Sequence, residues 1–312
     1  MKPTGFTLIE LIVSIALGLI VVATALMLFL SGQRNINLQN AATTIQEDQN
    51  FGLSYIARQI RMANLNSSQA IVNNTIAQSG IVFSSSNLSS FISGFTHTYA
   101  SRADAISSNV QTRTGNAAFA DATSDQLVIQ YRPAESGGYD CEGNVINNKN
   151  IYIVERYFVR LDANTESHET NNELKKSLAC AASRYASDIS ASTALAAAGA
   201  GIYGNGQIIL KRVDLFKVSF LVDASTATTT NLRYMTLGQY NDLAGIKPRI
   251  VAVQLGIISR STQPANDAAV IVAEQQFRLM GFDVKVKTNQ PAKYARAPIM
   301  QTVALRNALG DR

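Results

Sequence analysis

Between Leu11 and Gln33 no side chain carries a charge, and Glu10 is the only charged residue between Lys2 and Arg34. An apolar run of about 20 to 25 residues matches a helix crossing a hydrocarbon layer of ~30 Å. A secretory signal has a shorter apolar region followed by a small-residue cleavage site. The run therefore reads as an anchor retained by the chain, with its N-terminus on the cytoplasmic side. The whole chain of 312 residues is 46% hydrophobic and 16% charged and holds 2 cysteines. That balance disfavours a collagen-like chain, a disulfide-dense miniprotein, a multispan membrane protein and a conventional soluble cytosolic enzyme. One anchored helix with a large polar remainder is what is left.

Glu10 is out of place in such a run, because an unpaired carboxylate at the bilayer centre costs roughly 2.5 kcal/mol or more. A cut between Gly5 and Phe6 would create an α-amine on Phe6 that could neutralise Glu10 of a neighbouring copy in a helical bundle. The alternative is that Glu10 lies at headgroup depth. The stretch Gly5-Phe6-Thr7-Leu8-Ile9-Glu10-Leu11, set behind a short basic leader, resembles the class III signal of type IV pilins and type II secretion pseudopilins. The resemblance implies cleavage after Gly5 by the prepilin peptidase, N-methylation of Phe6 and a guiding role for Glu10 in assembly.

The helical pattern continues past the apolar run. Ile45, Gln49, Gly52, Leu53, Ile56 and Ile60 follow a spacing of three and four, with Glu47, Asp48, Arg58 and Arg61 mostly elsewhere on the wheel. Gly32 and Gly52 are expected to weaken or bend the helix, and Asn64, Asn66, Ser67 and Ser68 to end it. A helix over 6–62 would be roughly 85 Å long. Later segments read as strands: Ile81–Phe83, Phe91–Ile92, Gln126–Arg132, Asn150–Leu161, Gln207–Leu221, Leu232–Leu237, Arg249–Arg260 and Ala297–Leu305. Strands without regular intervening helices favour antiparallel sheets. Pro248, Pro264, Pro291 and Pro298 punctuate the last third, while Ala186–Gly206 and Asp223–Asn231 read as loops, the alanine-rich part of the first being also able to form a short helix. The expected organisation is α+β: a leader over 1–5, a helix over 6–62 whose 6–30 portion spans the membrane, and an antiparallel β-rich domain over 63–312, as one body or two subdomains.

Cys141 and Cys180 are the only cysteines. With the C-terminal domain in the periplasm, compartment favours a disulfide between them over two free thiols. Ten basic and four acidic residues lie from Gly245 to Arg312, out of 27 and 22 in the chain. This basic quarter could attract nucleic acid or anionic lipid, but Lys247, Arg260, Lys285 and Arg296 are scattered, which favours a solvated face. His97 and His168 stand far apart, and no nucleotide, metalloprotease or hydrolase motif occurs. Asp121 with Asp125, or Asp140 with Glu142, fit no calcium loop and read as solvated carboxylates. Tyr99, Tyr131, Tyr139, Tyr152 and Tyr157 could stack bases but suit core or cross-strand pairs better. The residues point to no catalytic site, metal or cofactor.

The second half carries a further resemblance. Val213–Asp223, then Tyr240-Asn241-Asp242, then Ile250–Ser261 and finally Thr302-Val303-Ala304-Leu305-Arg306-Asn307 are similar in order to PilW-type minor pilins. There a strand ending in Asp, a strand ending in Arg-Ser and a terminal Leu-Arg-Asn recur. Asn64 stands where that family leads one to expect glycine. The resemblance implies a structural protein in a tip complex that primes pilus assembly, anchored in the inner membrane with a periplasmic domain. Implied partners are other minor pilins, the major pilin, the prepilin peptidase, the inner-membrane assembly platform and a tip adhesin. Arg306 and Asn307 could have a structural role, for instance through a buried hydrogen-bonded arginine, or a contact role. The rivals are a J-type minor pseudopilin of type II secretion, a DNA-binding component of a competence pilus and, least favoured, a membrane-anchored enzyme.

Overall fold

A capping box opens the first element: the Thr7 side chain accepts from Glu10 N at 3.3 Å while the Glu10 carboxylate accepts from Thr7 N at 3.1 Å. Two of the four orphan donors at the helix start are thereby satisfied. The computed structural model describes residues 5, 7–88, 92–93, 101–102, 110–112, 123–187, 193–194, 201–226, 228–265, 275–286 and 294–310. Phe6, Phe91, His97, Tyr99, Asp121 and Pro291, all named above, lie outside them.

Helix α1 (Leu8–Met62) runs 55 residues without interruption. Its buried positions, Ile45, Gln49, Gly52, Leu53, Ile56, Ala57, Gln59 and Ile60, are confined to the C-terminal third. Gly52 marks a close approach rather than a helix break. A Cβ there would meet the Cβ of Leu210 at 3.2 Å, so the missing side chain lets a strand lie against the helix. The chain leaves α1 through Asn64 and Asn66, with φ of 65° and 52°. Asparagine tolerates this left-handed region better than other residues bearing a Cβ, which is why it can replace the expected glycine.

Fourteen strands follow among the described residues: β1 (Ile92–Ser93), β2 (Ser101–Arg102), β3 (Val110–Thr112), β4 (Asp125–Tyr131), β5 (Ile151–Leu161), β6 (Lys176–Ala186), β7 (Thr193–Ala194), β8 (Gln207–Leu210), β9 (Val213–Asp223), β10 (Leu232–Thr236), β11 (Arg249–Arg260), β12 (Gln276–Leu279), β13 (Phe282–Val286) and β14 (Arg296–Ala304). A short helix α2 (Leu237–Asn241) follows β10. The order β2-β4-β5-β6-β8 makes a five-stranded antiparallel sheet, and β10-β9-β11-β14 a four-stranded one. Strands β12-β13-β3 form a small antiparallel sheet. The two-residue pair β1-β7 is parallel.

Strand β6 and the β12–β13 hairpin are among the elements the sequence concealed, as are the short β2, β3 and β7, the last within the Ala186–Gly206 stretch that reads as a loop. Leu178-Ala179-Cys180-Ala181-Ala182 is poor in the β-branched and aromatic residues that announce a strand. Yet it pairs with β5 along its whole length and with β8 on its other edge. Its small side chains suit a strand buried on both faces: Leu178, Cys180 and Ala182 join the main core, and Ala179 and Ala181 pack with Phe158. The hairpin turns at Met280 and Gly281, with φ of 53° and 83°. Two consecutive positive φ values suit a tight hairpin, and methionine in the first position hides the usual Asn-Gly signal.

One core joins the parts. Leu53, Ile56 and Ile60 of α1 pack with Ile129, Tyr157 and Leu178 of the five-stranded sheet and with Phe216, Phe220, Val253 and Ile257 of the four-stranded sheet. A polar clasp reinforces the junction of the sheets. Lys217 Nζ donates to Asp125 Oδ1 at 2.7 Å, and Asp125 Oδ2 accepts from Val218 N at 2.9 Å. Both charged side chains are nearly inaccessible to solvent, so Asp125 is not the solvated carboxylate the sequence suggested.

Candidate assembly site: the bare helix and its seat

Every large apolar side chain from Leu8 to Leu30 keeps at least 52% of its surface exposed. No part of the most apolar window of α1 is covered by the rest of the chain. A helix apolar all round belongs in lipid or among other helices. Residues 8–30 span roughly 35 Å at helical rise, enough to cross a bilayer with some tilt. At its head, the Glu10 carboxylate also accepts from the Thr7 hydroxyl at 3.1 Å. Thr7-Leu8-Ile9-Glu10 is the capping-box pattern S/T-x-x-E, a signal the reading of the assembly motif passed over. Gly5 is exposed just ahead of it.

The other end of α1 is fastened by side-chain amides. Gln49 Nε2 donates to Ser259 Oγ at 2.7 Å and to the Ala297 carbonyl at 2.8 Å. Asn64 Nδ2 donates to the carbonyls of Gln69 and Asn307 at 2.9 and 2.8 Å, while its Oδ1 accepts from Gly80 N at 2.9 Å. Asn307 Nδ2 returns bonds to the Arg61 and Ala63 carbonyls at 3.0 and 3.2 Å. These are carbonyls that a helix end leaves without intrahelical partners. The terminal Leu-Arg-Asn thus works through Asn307. Arg306 is exposed and is not the buried arginine that was expected.

The most deeply buried arginine among the described residues is Arg260, at the end of β11. Its Nε lies 3.6 Å from Asp214 Oδ1 and its Nη2 3.6 Å from Glu169 Oε1, with no exposed side-chain surface. Arg296 Nε donates to Asp214 Oδ2 at 2.6 Å, and Arg212 Nε to Glu169 Oε1 at 3.1 Å. Burial holds the Arg260 guanidinium below its usual range, opposed by Asp214 and Glu169. At the other end of these strands, Arg249 donates twice to Asp223 Oδ2, at 3.1 and 2.8 Å. Hydrogen bonds from Ser225 and Arg249 hold the Asp223 carboxyl well below the usual range. Arg249, Arg260 and Arg296 are therefore tied into strand-end ion pairs. The expectation of a scattered solvated face fails for Arg260 and Arg296, and the basic excess that suggested nucleic acid is in part internal.

Cys141 and Cys180 are joined in the structure with their Cα atoms 6.1 Å apart. The bridge ties the loop after β4 to the middle of β6. Asp140 is buried beside it, accepts from Glu142 N and Asn144 N, and pairs with Arg184 at 2.6 Å. Glu142 accepts from Ala182 N at 2.9 Å. Neither is a free loop carboxylate, because each satisfies backbone donors that the stapled turn would leave unpaired. Glu155 lies fully buried under the bridge, accepting from Tyr157 Oη at 2.6 Å, Cys141 N at 3.0 Å and Tyr131 Oη at 3.2 Å. Burial pushes its carboxyl up to about 7 against those three bonds. Cys141, Glu155 and Cys180 bring two sulfurs and a carboxylate oxygen within 4.8 Å of one another. A metal would need both sulfurs as thiolates, so the bridged form is not a ligand set.

Tyr131 and Tyr157 belong to the core, and Tyr152 stacks on Tyr185 with ring centroids 5.1 Å apart. Only Tyr139 of the described tyrosines considered for base stacking is exposed. His168 Nε2 lies 2.8 Å from the Thr262 carbonyl.

Two family models match the chain. Residues 1–26 match the prokaryotic N-terminal methylation motif, and residues 156–307 match the type IV pilus-assembly protein W family. No curated protein matches. Among solved structures, a type IV-like pilin from Thermus thermophilus is similar at 11% identity and a TM-score of 0.35, over 85% of this chain and 96% of that one. The PilW match takes in β9, β11, β14 and Asn307, the elements that seat α1 and form the arginine pairs, while the methylation motif takes in Gly5 to Glu10. Residues 156–307 thus carry the likeness to the type IV pilus-assembly protein W family, behind an N-terminal methylation motif over residues 1–26 and an apolar helix that fits a membrane-anchored pilin.

Proposed function

We propose that this minor pilin joins sibling minor pilins in a complex at the pilus tip that primes polymerisation of the major pilin. The observation that carries the reading is the division of α1. Its first 23 residues, Leu8–Leu30, are covered by no other described part of the chain, while its last turns are fastened to both sheets. Lipid covers such a segment before assembly, and other helices cover it afterwards. In this reading the prepilin peptidase cuts after Gly5 and Phe6 is N-methylated. Glu10 then pairs with the amine of an adjacent subunit as the assembly platform of the inner membrane draws the helix into a bundle. The β-rich domain lies in the periplasm, packs laterally on its siblings and keeps the Cys141–Cys180 bridge as its mature form. A tip adhesin is a further partner.

The J-type pseudopilin reading uses the same architecture for protein export. Nucleic acid binding is the weaker rival, because Arg249, Arg260 and Arg296 are engaged in ion pairs. In-frame deletion, with surface pili counted and type II exoprotein secretion assayed in the same strain, tests the proposal. Loss of pili with secretion intact is the expected result. Unchanged pili with lost secretion would make the chain a pseudopilin.

A further inference from the structure

We propose that Glu155 is an internal base that closes the Cys141–Cys180 disulfide. The proposal rests on the reading that the bridge is the mature form of the domain.

Placement comes first. On β5, Glu155 and Tyr157 share a face, and Tyr157 stands directly opposite Cys180 on β6. One carboxylate oxygen of Glu155 is bonded to Cys141 N and the other to Tyr157 Oη. The carboxylate is therefore held between the neighbourhoods of the two cysteines, within 4.8 Å of both sulfurs. The groups facing it are Tyr131 from β4, Tyr157 from β5, Cys180 from β6, Asp140 and Cys141 from the loop, and Tyr55, whose hydroxyl donates to the Cys141 carbonyl from α1. None of these is a cation, and the one acid among them, Asp140, is paired with Arg184. A purely structural buried carboxylate is usually paired with a cation. This one instead keeps a proton affinity near neutrality, the range in which a base works best.

Chemistry supplies the need. Thiolate is the reactive form, and burial in apolar surroundings opposes its formation. Cys180 has no exposed surface, and Cys141 sits in the turn. A disulfide oxidant, glutathione disulfide or an exported thiol oxidase, first forms a mixed disulfide with Cys141 and releases one of its own thiols. The Cys180 thiol then passes its proton to the Glu155 carboxylate, and the thiolate attacks the Cys141 sulfur. The internal S–S bond forms, the mixed S–S bond breaks, and the departing sulfur leaves as a thiolate that takes up a proton. Two protein thiols are oxidised, and one oxidant disulfide is reduced to two thiols.

The test uses the full chain, extracted from membranes, reduced, freed of reductant and exposed to glutathione disulfide. Acid quench and thiol counting give the closure rate across roughly pH 5.5 to 8.5. The wild type is expected to show a rate that rises and levels off near neutrality. Glu155→Gln should close about tenfold or more slowly near neutral pH, with a rate that climbs through the thiol range. Glu155→Asp should recover part of the rate, and in denaturant all three should coincide. Equal rates and profiles for wild type and Glu155→Gln under native conditions would overturn the proposal. If the glutamine variant fails to refold when reduced, the wild-type profile decides: a rate tracking thiol ionisation alone overturns it. Two thiols remaining on oxidised wild type would instead refute the bridge.

Discussion

The two halves of α1 are one continuous helix with opposite dependencies. Leu8–Leu30 presents apolar side chains on every side and is left uncovered by the described remainder of the chain. The stretch from Ile45 to Met62 buries a stripe at three-and-four spacing and ends in a lattice of amide hydrogen bonds. The first half is a hydrophobic surface without an internal partner, so its structure is completed by lipid or by other subunits. The second half is a core element completed by its own domain. What differs is who supplies the burial, and mutations should therefore separate folding from assembly.

The largest effect is expected where the two sheets meet. Lys217→Met strands Asp125 as a buried charge and should cost about 3 to 5 kcal/mol, read in urea titrations of the extracted protein. Ile56→Ala should cost about 2 to 5 kcal/mol in the same assay through the cavity it leaves. Its counterpart Ile15→Ala should leave the domain transition unmoved and weaken only membrane retention or incorporation into pili. Equal loss of domain stability from both substitutions would erase the distinction between the halves.

Asn64→Ala removes three side-chain bonds and places a less tolerant residue at positive φ. A loss of about 2 to 3 kcal/mol follows, with Asn64→Gly recovering the backbone share only. A pH-dependent effect is expected at Glu155. Its folded carboxyl is raised from 4.5 to about 7, so the folded state binds the extra proton. The contribution is fully present below about 4.5 and is lost as pH rises through about 7. Wild-type stability should fall across that window relative to Glu155→Gln, which lacks the proton. A flat difference between the two would show that the carboxyl titrates normally.

The helix was legible because its signals are local: an uncharged run, a three-and-four stripe and asparagines at the exit. Strands β4, β5, β9, β11 and β14 were legible for the same reason, being β-branched or aromatic between turn residues. Strand β6 was not, since its alanines are chosen by the neighbours on both edges and both faces rather than by backbone preference. Gly52 illustrates the same limit. Sequence reads it as a weak point in a helix, and only the proximity of Leu210 shows that it makes room.

By itself the sequence determined the long apolar N-terminal helix, the N-terminal methylation motif, the α+β class and the likeness to PilW-type pilins. Each depends on residues adjacent in the chain or one helical turn apart. The tertiary structure alone decided which charges are internal. Arg260 meets Asp214 and Glu169, Lys217 meets Asp125, and Asn307 meets the carbonyls of Arg61 and Ala63, across separations of up to 246 residues. A basic residue reads the same whether it faces water or a carboxylate. The fold makes the distinction, because burial without a partner would cost more than the domain could sustain.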